Sequence, residues 1–185
     1  MITSYPHNEP IKLSRDCEAI QIPGGTKIQL PKGLQVRIAQ SLGGNYTVTT
    51  DEGYIVQIAG KDADAIGKEL PKTQAESHDA PLDQLVLEQL KTCYDPEIPI
   101  NIVDLGLVYE CKVAPLSNPE GGNRVDVKMT LTAPGCGMGE VLKRDAQTKI
   151  ERLPGVKEVS VELVWEPAWD QSRMSDAAKL KLGLM

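Results

Sequence analysis

One thiol in this chain sits in surroundings suited to chemistry. Residues 131–139 read Leu-Thr-Ala-Pro-Gly-Cys-Gly-Met-Gly, and Met138, Val141, Leu142, Ile150 and Leu153 follow at helical spacing. Cys136 therefore stands where a strand passes through a glycine-rich turn into a helix. The turn with Gly135, Gly137 and Gly139 lets backbone amides approach the sulfur, and Gly137 and Gly139 leave it uncovered. At a helix start the unpaired N–H groups and the helix dipole favour an anion, so the Cys136 thiolate is expected to be stabilised as a nucleophile or metal ligand. The plainer reading is a free cysteine that merely fits a tight turn. The flanking glycines and the helix start weigh toward function.

A second stretch, Asp-Pro-Glu-Ile-Pro-Ile-Asn-Ile-Val-Asp-Leu-Gly-Leu-Val-Tyr at residues 95–109, places three carboxylates in a loop held rigid by two prolines. Asp95, Glu97 and Asp104 are positioned to cap helices, bind a cation or meet a basic partner. For Asp104 the structural role of a cap or turn residue weighs more; Asp95 and Glu97 are closer to even.

The remaining thiols are Cys17, Cys93 and Cys111. No two of the four cysteines make a CxxC pair, which excludes a zinc ribbon or a thioredoxin-type motif. Cys111 alternates with Tyr109 and Val113 on one strand face and reads as core, and Cys17 reads as packing. Cys93 ends an apolar helical stripe beside the carboxylate loop and is kept as a secondary ligand candidate.

The elements that must position these groups fall into two parts. Residues 11–70 show about five short β-prone runs between turn signals such as Pro23-Gly24-Gly25, Gly43-Gly44 and Asp51-Glu52-Gly53. Five strands in so short a span suit a small β-barrel-like module, with residues 1–70 as its extent. Residues 71–81 are polar, contain two prolines and read as a linker. Leu82, Leu85, Val86 and Leu90 then give a helix behind Pro81, extended by Cys93 and Tyr94 to an end at Asp95-Pro96.

Two alternating strands follow around residues 107–113 and 125–131, then the helix after Cys136. Val159, Val161, Leu163 and Trp165 make a third strand. The order implies an α+β chain whose second part, residues 82–165, is an α-β-β-α-β two-layer sandwich with helices on one face of three strands. Residues 166–185 form a C-terminal tail expected to pack onto the sheet through its tryptophans and Met174.

The chain has 185 residues, 41% of them hydrophobic and 25% charged, the profile of a folded globular protein. A formal charge of -6 with no Lys/Arg cluster argues against nucleic-acid binding, and seven aromatic residues leave little for stacking bases. No apolar run approaches a membrane span and no leader is evident at the start, so a cytoplasmic location away from membranes is expected.

The two motifs, DPEIPINIVDLGLVY at 95–109 and TLTAPGCGMG at 130–139, resemble the iron-sulfur assembly domain family, which includes the phenylacetate-degradation protein PaaD and the eukaryotic cytosolic iron-sulfur targeting factors. The domain resemblance spans about residues 82–165. The tail Glu166-Pro167-Ala168-Trp169 and the Arg15-Asp16-Cys17-Glu18 start of the β module are similar to one subgroup of that family. Where the family often continues its cysteine with Pro-Met, this chain has Gly137-Met138, a variation that bears on the shape of the turn and keeps the thiol.

The resemblance implies a non-catalytic maturation factor that helps assemble or deliver iron-sulfur clusters to client apoproteins, with Cys136 as a transient ligand and no permanently bound cofactor. Its partners would be clients and assembly proteins. One thiol supplies one of the four ligands a cluster takes, so a homodimer, Cys93 or Asp95, or the client must complete the site. Two rivals remain. One is an adaptor that recruits clients through its loop without binding a cluster; the other is a thiol enzyme with Cys136 as nucleophile, for which only His78 offers a base.

Overall fold

The computed structural model describes residues 9–69, 80–95, 98–117, 121–133 and 137–184. The chain forms two compact units, Met1–Thr73 and Gln74–Met185.

In the first unit, six strands make one antiparallel sheet: β1 (Ile11–Lys12), β2 (Cys17–Gln21), β3 (Lys27–Leu30), β4 (Gln35–Leu42), β5 (Asn45–Thr50) and β6 (Ile55–Ile58). Their spatial order is β1-β4-β5-β6-β2-β3, so β1 and β3 are edges and the sheet is curled rather than closed. The expected barrel-like module is thus a half-barrel, a curled sheet that stays open between β1 and β3. Its strands are short and turn-bounded as the sequence requires, with the two-residue β1 as a sixth. Leu13, Cys17, Leu30, Val36, Val48, Val56 and Ile58 fill its core together with Ala65 and Ile66 of a 3-10 helix at Gly60–Ile66. That helix is tied back by Arg15, which donates to Asp62 at 2.9 Å and to Asp64 at 2.6 and 2.8 Å.

The second unit runs α1 (Leu82–Leu90), β7 (Val108–Pro115), β8 (Asn123–Met129), α2 (Gly139–Glu151), β9 (Val156–Leu163), a 3-10 turn at Gln171–Arg173 and α3 (Asp176–Lys181). The sheet order is β7-β8-β9, with β7 antiparallel and β9 parallel to β8. Val125, Val127 and Met129 of β8 enter one core with Val86 and Leu90 of α1 and Leu142, Ala146 and Ile150 of α2. The alternate residues of β8, Arg124, Asp126 and Lys128, carry ion pairs on the opposite face.

Three local features depart from the sequence reading. The first is the end of α1, which stops at Leu90 rather than at Asp95-Pro96. Thr92 donates its hydroxyl to the Gln89 carbonyl at 2.7 Å, Lys149 Nζ donates to the Thr92 carbonyl at 2.9 Å, and Tyr94 then pairs with Asn101 in an isolated bridge. Local capping thus ends the helix while the apolar stripe continues through buried Cys93.

A register shift in β7 between Val108 and Glu110 is the second departure. It packs Val108 against the helix-side core, where strict alternation would have placed Tyr109. The third lies at the end of β9: the strand stops at Leu163, and Trp165 is 47% exposed instead of continuing its buried face.

Candidate functional site

Cys136, Gly135 and Glu97 lie outside the described residues. The structure defines the strand end that precedes these residues and the helix start that follows them. On the strand side, Thr130 and Leu131 are buried, the Thr130 N–H donates to the Leu107 carbonyl at 2.8 Å, and the Val164 N–H donates to the Met129 carbonyl at 2.8 Å. On the helix side, Met138 is buried, its carbonyl accepts the Leu142 N–H at 2.9 Å, and α2 begins at Gly139.

The two ends meet. A Cβ on Gly139 would lie 2.5 Å from Cδ1 of Leu131, so the helix start packs directly on the strand end and a side chain there would have to push the Leu131 side chain aside. Gly137, the first described residue after Ala133, is exposed. The residue at the N-cap of α2 is Met138, which makes no side-chain cap hydrogen bond. A thioether does not do the work of Ser, Thr, Asp or Asn there, and the first amides of a 13-residue helix keep their positive potential.

The other candidates are held by the fold. Asp95 is 8% exposed; its Oδ1 accepts the Ile98 N–H at 2.9 Å, and its own N–H donates to the Ile100 carbonyl at 3.2 Å. These bonds tie Asp95 to Ile98 and Ile100. Asp104 is half-buried and closes a reciprocal turn with Asn101: its carboxylate accepts the Asn101 amide at 2.6 Å, and its N–H donates to Asn101 Oδ1 at 2.8 Å. This is the turn role that its residue type favoured.

Cys93 is fully buried between α1 and α2. Burial pushes its thiol strongly upward, and the carboxylate of Asp145 adds to the effect. Both effects disfavour the thiolate, and the residue itself has no exposure to solvent. Cys111 and Cys17 are likewise raised by burial, the first half-buried against the helix-side core and the second buried in the other unit. Among the described residues, no three His, Cys, Asp or Glu side chains come together to hold a metal, and no helix is long and apolar enough to cross a membrane.

A structural partner of the carboxylate loop was only coarsely legible in the sequence: the tail. Trp169 donates its indole N–H to the Leu105 carbonyl at 2.8 Å, the Ser175 N–H donates to the Asp104 carbonyl at 2.9 Å, and Lys181 Nζ donates to the Pro99 carbonyl at 2.9 Å. Met174 and Ala178 enter the core, and the Arg173 guanidinium lies 4.3 Å from the centre of the Tyr109 ring. The signal that could have revealed this docking is Gly106, whose φ of +70° and contact with the Arg173 backbone leave no room for a side chain.

An α+β domain in which the start of α2 packs on the residue that follows β8, and a tail is strapped over the loop before β7, is the class of protein these observations define. Residues 83–163 match the family described as iron-sulfur cluster assembly protein, and the chain belongs to that family. It is 41% identical over 100 residues to an "Fe-S protein maturation auxiliary factor" of Porphyromonas gingivalis, covering 54% of this chain and 90% of that protein. It is also 41% identical over 90 residues to the "Fe-S protein maturation auxiliary factor SufT" of Staphylococcus aureus, covering 49% of this chain and 96% of that one. Among solved structures, a domain of unknown function from Bacillus anthracis is 33% identical, with a TM-score of 0.48, covering 56% of this chain and 93% of that one.

Proposed function

We propose that this protein is a non-catalytic maturation factor for iron-sulfur proteins, and that Cys136 holds a cluster transiently on its way to a client apoprotein. The observation that carries the reading is the contrast among thiols. Cys17, Cys93 and Cys111 are all raised by burial. Cys136 precedes by two positions in the sequence Met138, the N-cap residue of α2, which makes no side-chain hydrogen bond to the first amides. Helix-start potential lowers a thiol's pKa and favours metal ligation. The names of the relatives support the maturation role itself.

One thiolate per chain is a quarter of a usual ligand set. The other ligands come from outside the chain, from a second copy or from the client, and a site completed in this way is labile, which suits transfer. In a cytoplasmic setting the partners are client apoproteins and assembly proteins, met through the loop that contains Asp95, Glu97 and Asp104.

Anaerobic reconstitution with iron and sulfide tests the reading. The native chain should gain a sulfur-to-iron charge-transfer band and bound iron, and Cys136→Ser should lose both. Retention of the band by Cys136→Ser would remove Cys136 as the ligand. If neither protein holds a cluster, the adaptor reading replaces the carrier, and variants of Asp95 or Glu97 should then abolish client maturation while Cys136→Ser does not.

A further inference from the structure

β7 is an edge strand, with β8 on one side and, among the described residues, no strand on the other. One bond fixes which of its backbone groups face the open side. The Leu116 N–H donates to the Gly122 carbonyl at 2.9 Å, and the β7–β8 register runs on from that pair through Ala114 with Arg124, Lys112 with Asp126 and Glu110 with Lys128. In an antiparallel ladder such bonded pairs alternate with pairs whose backbone groups point outward. The N–H and C=O groups of Cys111 and Val113 therefore point away from β8, and among the described residues no other backbone group bonds to them. Pro115, which has no N–H, bounds this free stretch at one end, and the register shift after Val108 bounds it at the other.

The side chains of the stretch make it complementary to itself. Cys111 and Val113 pack on the helix-side core and stay half-exposed, while Glu110 and Lys112 lie on the opposite face and pair with each other. When a second copy is set antiparallel with Cys111 opposite Cys111, Glu110 of each copy stands opposite Lys112 of the other. The four charges then occupy the corners of a square in alternating sign. The alternation continues outward, because Glu110 already opposes Lys128, Lys128 opposes Glu162, and Lys112 opposes Asp126. Centring the pair on Lys112 or on Glu110 instead would set like charges directly opposite each other, which is destabilising. Charge thus selects one register.

We propose that the open edge of β7 is the docking surface for a second copy of this chain, in a two-fold dimer centred on Cys111 that joins the two three-stranded sheets into one. The seam gives the outward N–H and C=O groups protein partners, and it covers the half-exposed Cys111 and Val113. The inference goes beyond the maturation reading and uses neither iron nor Cys136. It also bears on that reading. Strands about 4.8 Å apart, rising about 3.4 Å per residue, put the two Met129 residues that end β8 about 25 Å from each other across the axis. The two chains leave β8 at opposite ends of the joined sheet, so in this dimer the client, rather than the second copy, supplies the remaining ligands of a cluster.

Sedimentation equilibrium of the full chain in reductant, from about 10 μM to about 1 mM, should show a monomer–dimer equilibrium in the weak range that so short a seam implies. Lys112→Glu reverses both cross-seam pairs and should weaken association at least about tenfold. Lys157→Glu makes the same charge change on β9, at the other edge of the sheet, and should leave association as it is. Both lysines are exposed, so an unchanged near-ultraviolet spectrum should show the fold intact. In the native chain the Cys111 and Val113 amides should exchange more slowly as concentration rises. A monomer at every concentration, equal weakening by the two substitutions, or a dimer in which those two amides gain no protection would each overturn the proposal. None of these readouts involves iron or Cys136, so failure of the dimer would leave the cluster reading standing, and loss of cluster binding would leave the dimer standing.

Discussion

Trp169 donates its indole N–H to the carbonyl oxygen of Leu105 at 2.8 Å, joining residues 64 positions apart. That bond sits in the middle of a strap: Ser175 reaches Asp104, Lys181 reaches Pro99, and Met174 and Ala178 are buried beneath. The loop that bears the carboxylates is thus positioned from its outer side by the tail. Trp169→Phe keeps most of the packing and removes the donor, so it should cost about 1 kcal/mol, whereas Trp169→Ala should cost about 3 kcal/mol. Urea melts of the two variants check the magnitudes. Amide exchange at residues 100–107 should accelerate in both, and unchanged exchange would show that the tail does not hold the loop.

Gly106 gives a sharper test of the same contact. Its φ is +70°, and a side chain there would run into the Arg173 carbonyl. Gly121 has a similar φ of +65° with nothing within 4 Å of the same position. Gly121→Ala should therefore cost only the backbone penalty, about 1 kcal/mol, and Gly106→Ala should cost that plus displacement of the strap, about 3 kcal/mol or more. Trp169 emission should shift to the red in Gly106→Ala alone. Equal destabilisation by the two changes would contradict the close approach.

The contrast between what periodicity shows and what it misses is plain in β7. Alternation placed Tyr109 with Cys111, because a period of two is all a sequence pattern carries. The register shift between Val108 and Glu110 inserts one residue, and nothing in the local residue types announces it. The turn-bounded strands of the first unit were legible because Gly and Pro mark where each must end. The end of α1 was not, since the Thr92 hydroxyl closes it on the Gln89 carbonyl and Lys149, 57 positions further on, holds the Thr92 carbonyl. The motif singled out Cys136 as a candidate from local residue types alone, whereas the burial of Cys93 depends on α2 covering it, and the tail's grip on Leu105 depends on a long-range contact that no local pattern encodes.

Cys93 makes the stability of the second unit depend on alkaline pH. Burial raises its thiol far above the value near 8.5 that it has in an unfolded chain. Below about pH 8.5 both states bind the proton and its contribution is complete. Above it the unfolded chain loses the proton first, so stability falls by up to about 1.4 kcal/mol per pH unit as pH climbs toward the folded-state value. Urea midpoints measured from about pH 7.5 to about pH 10.5 should decline. Cys93→Ala should begin lower, by about 1 kcal/mol for the lost packing, and decline less steeply. Parallel curves for the two proteins would show that this thiol is not the source of the slope.

The second unit carries its own hydrophobic core, built on α1, α2, the three strands and the tail, and that core shares no residue with the core of the first unit. A segment with a complete core and its own sheet meets the condition for folding alone. Residues 74–185 expressed without the rest should therefore give a cooperative thermal transition and a near-ultraviolet spectrum with fixed signals from Trp165 and Trp169. Retained helix in the far ultraviolet with a flat near-ultraviolet spectrum would be the mark of a molten remainder, and it would mean that the sheet of residues 11–58 contributes to the packing of the domain that bears Cys136.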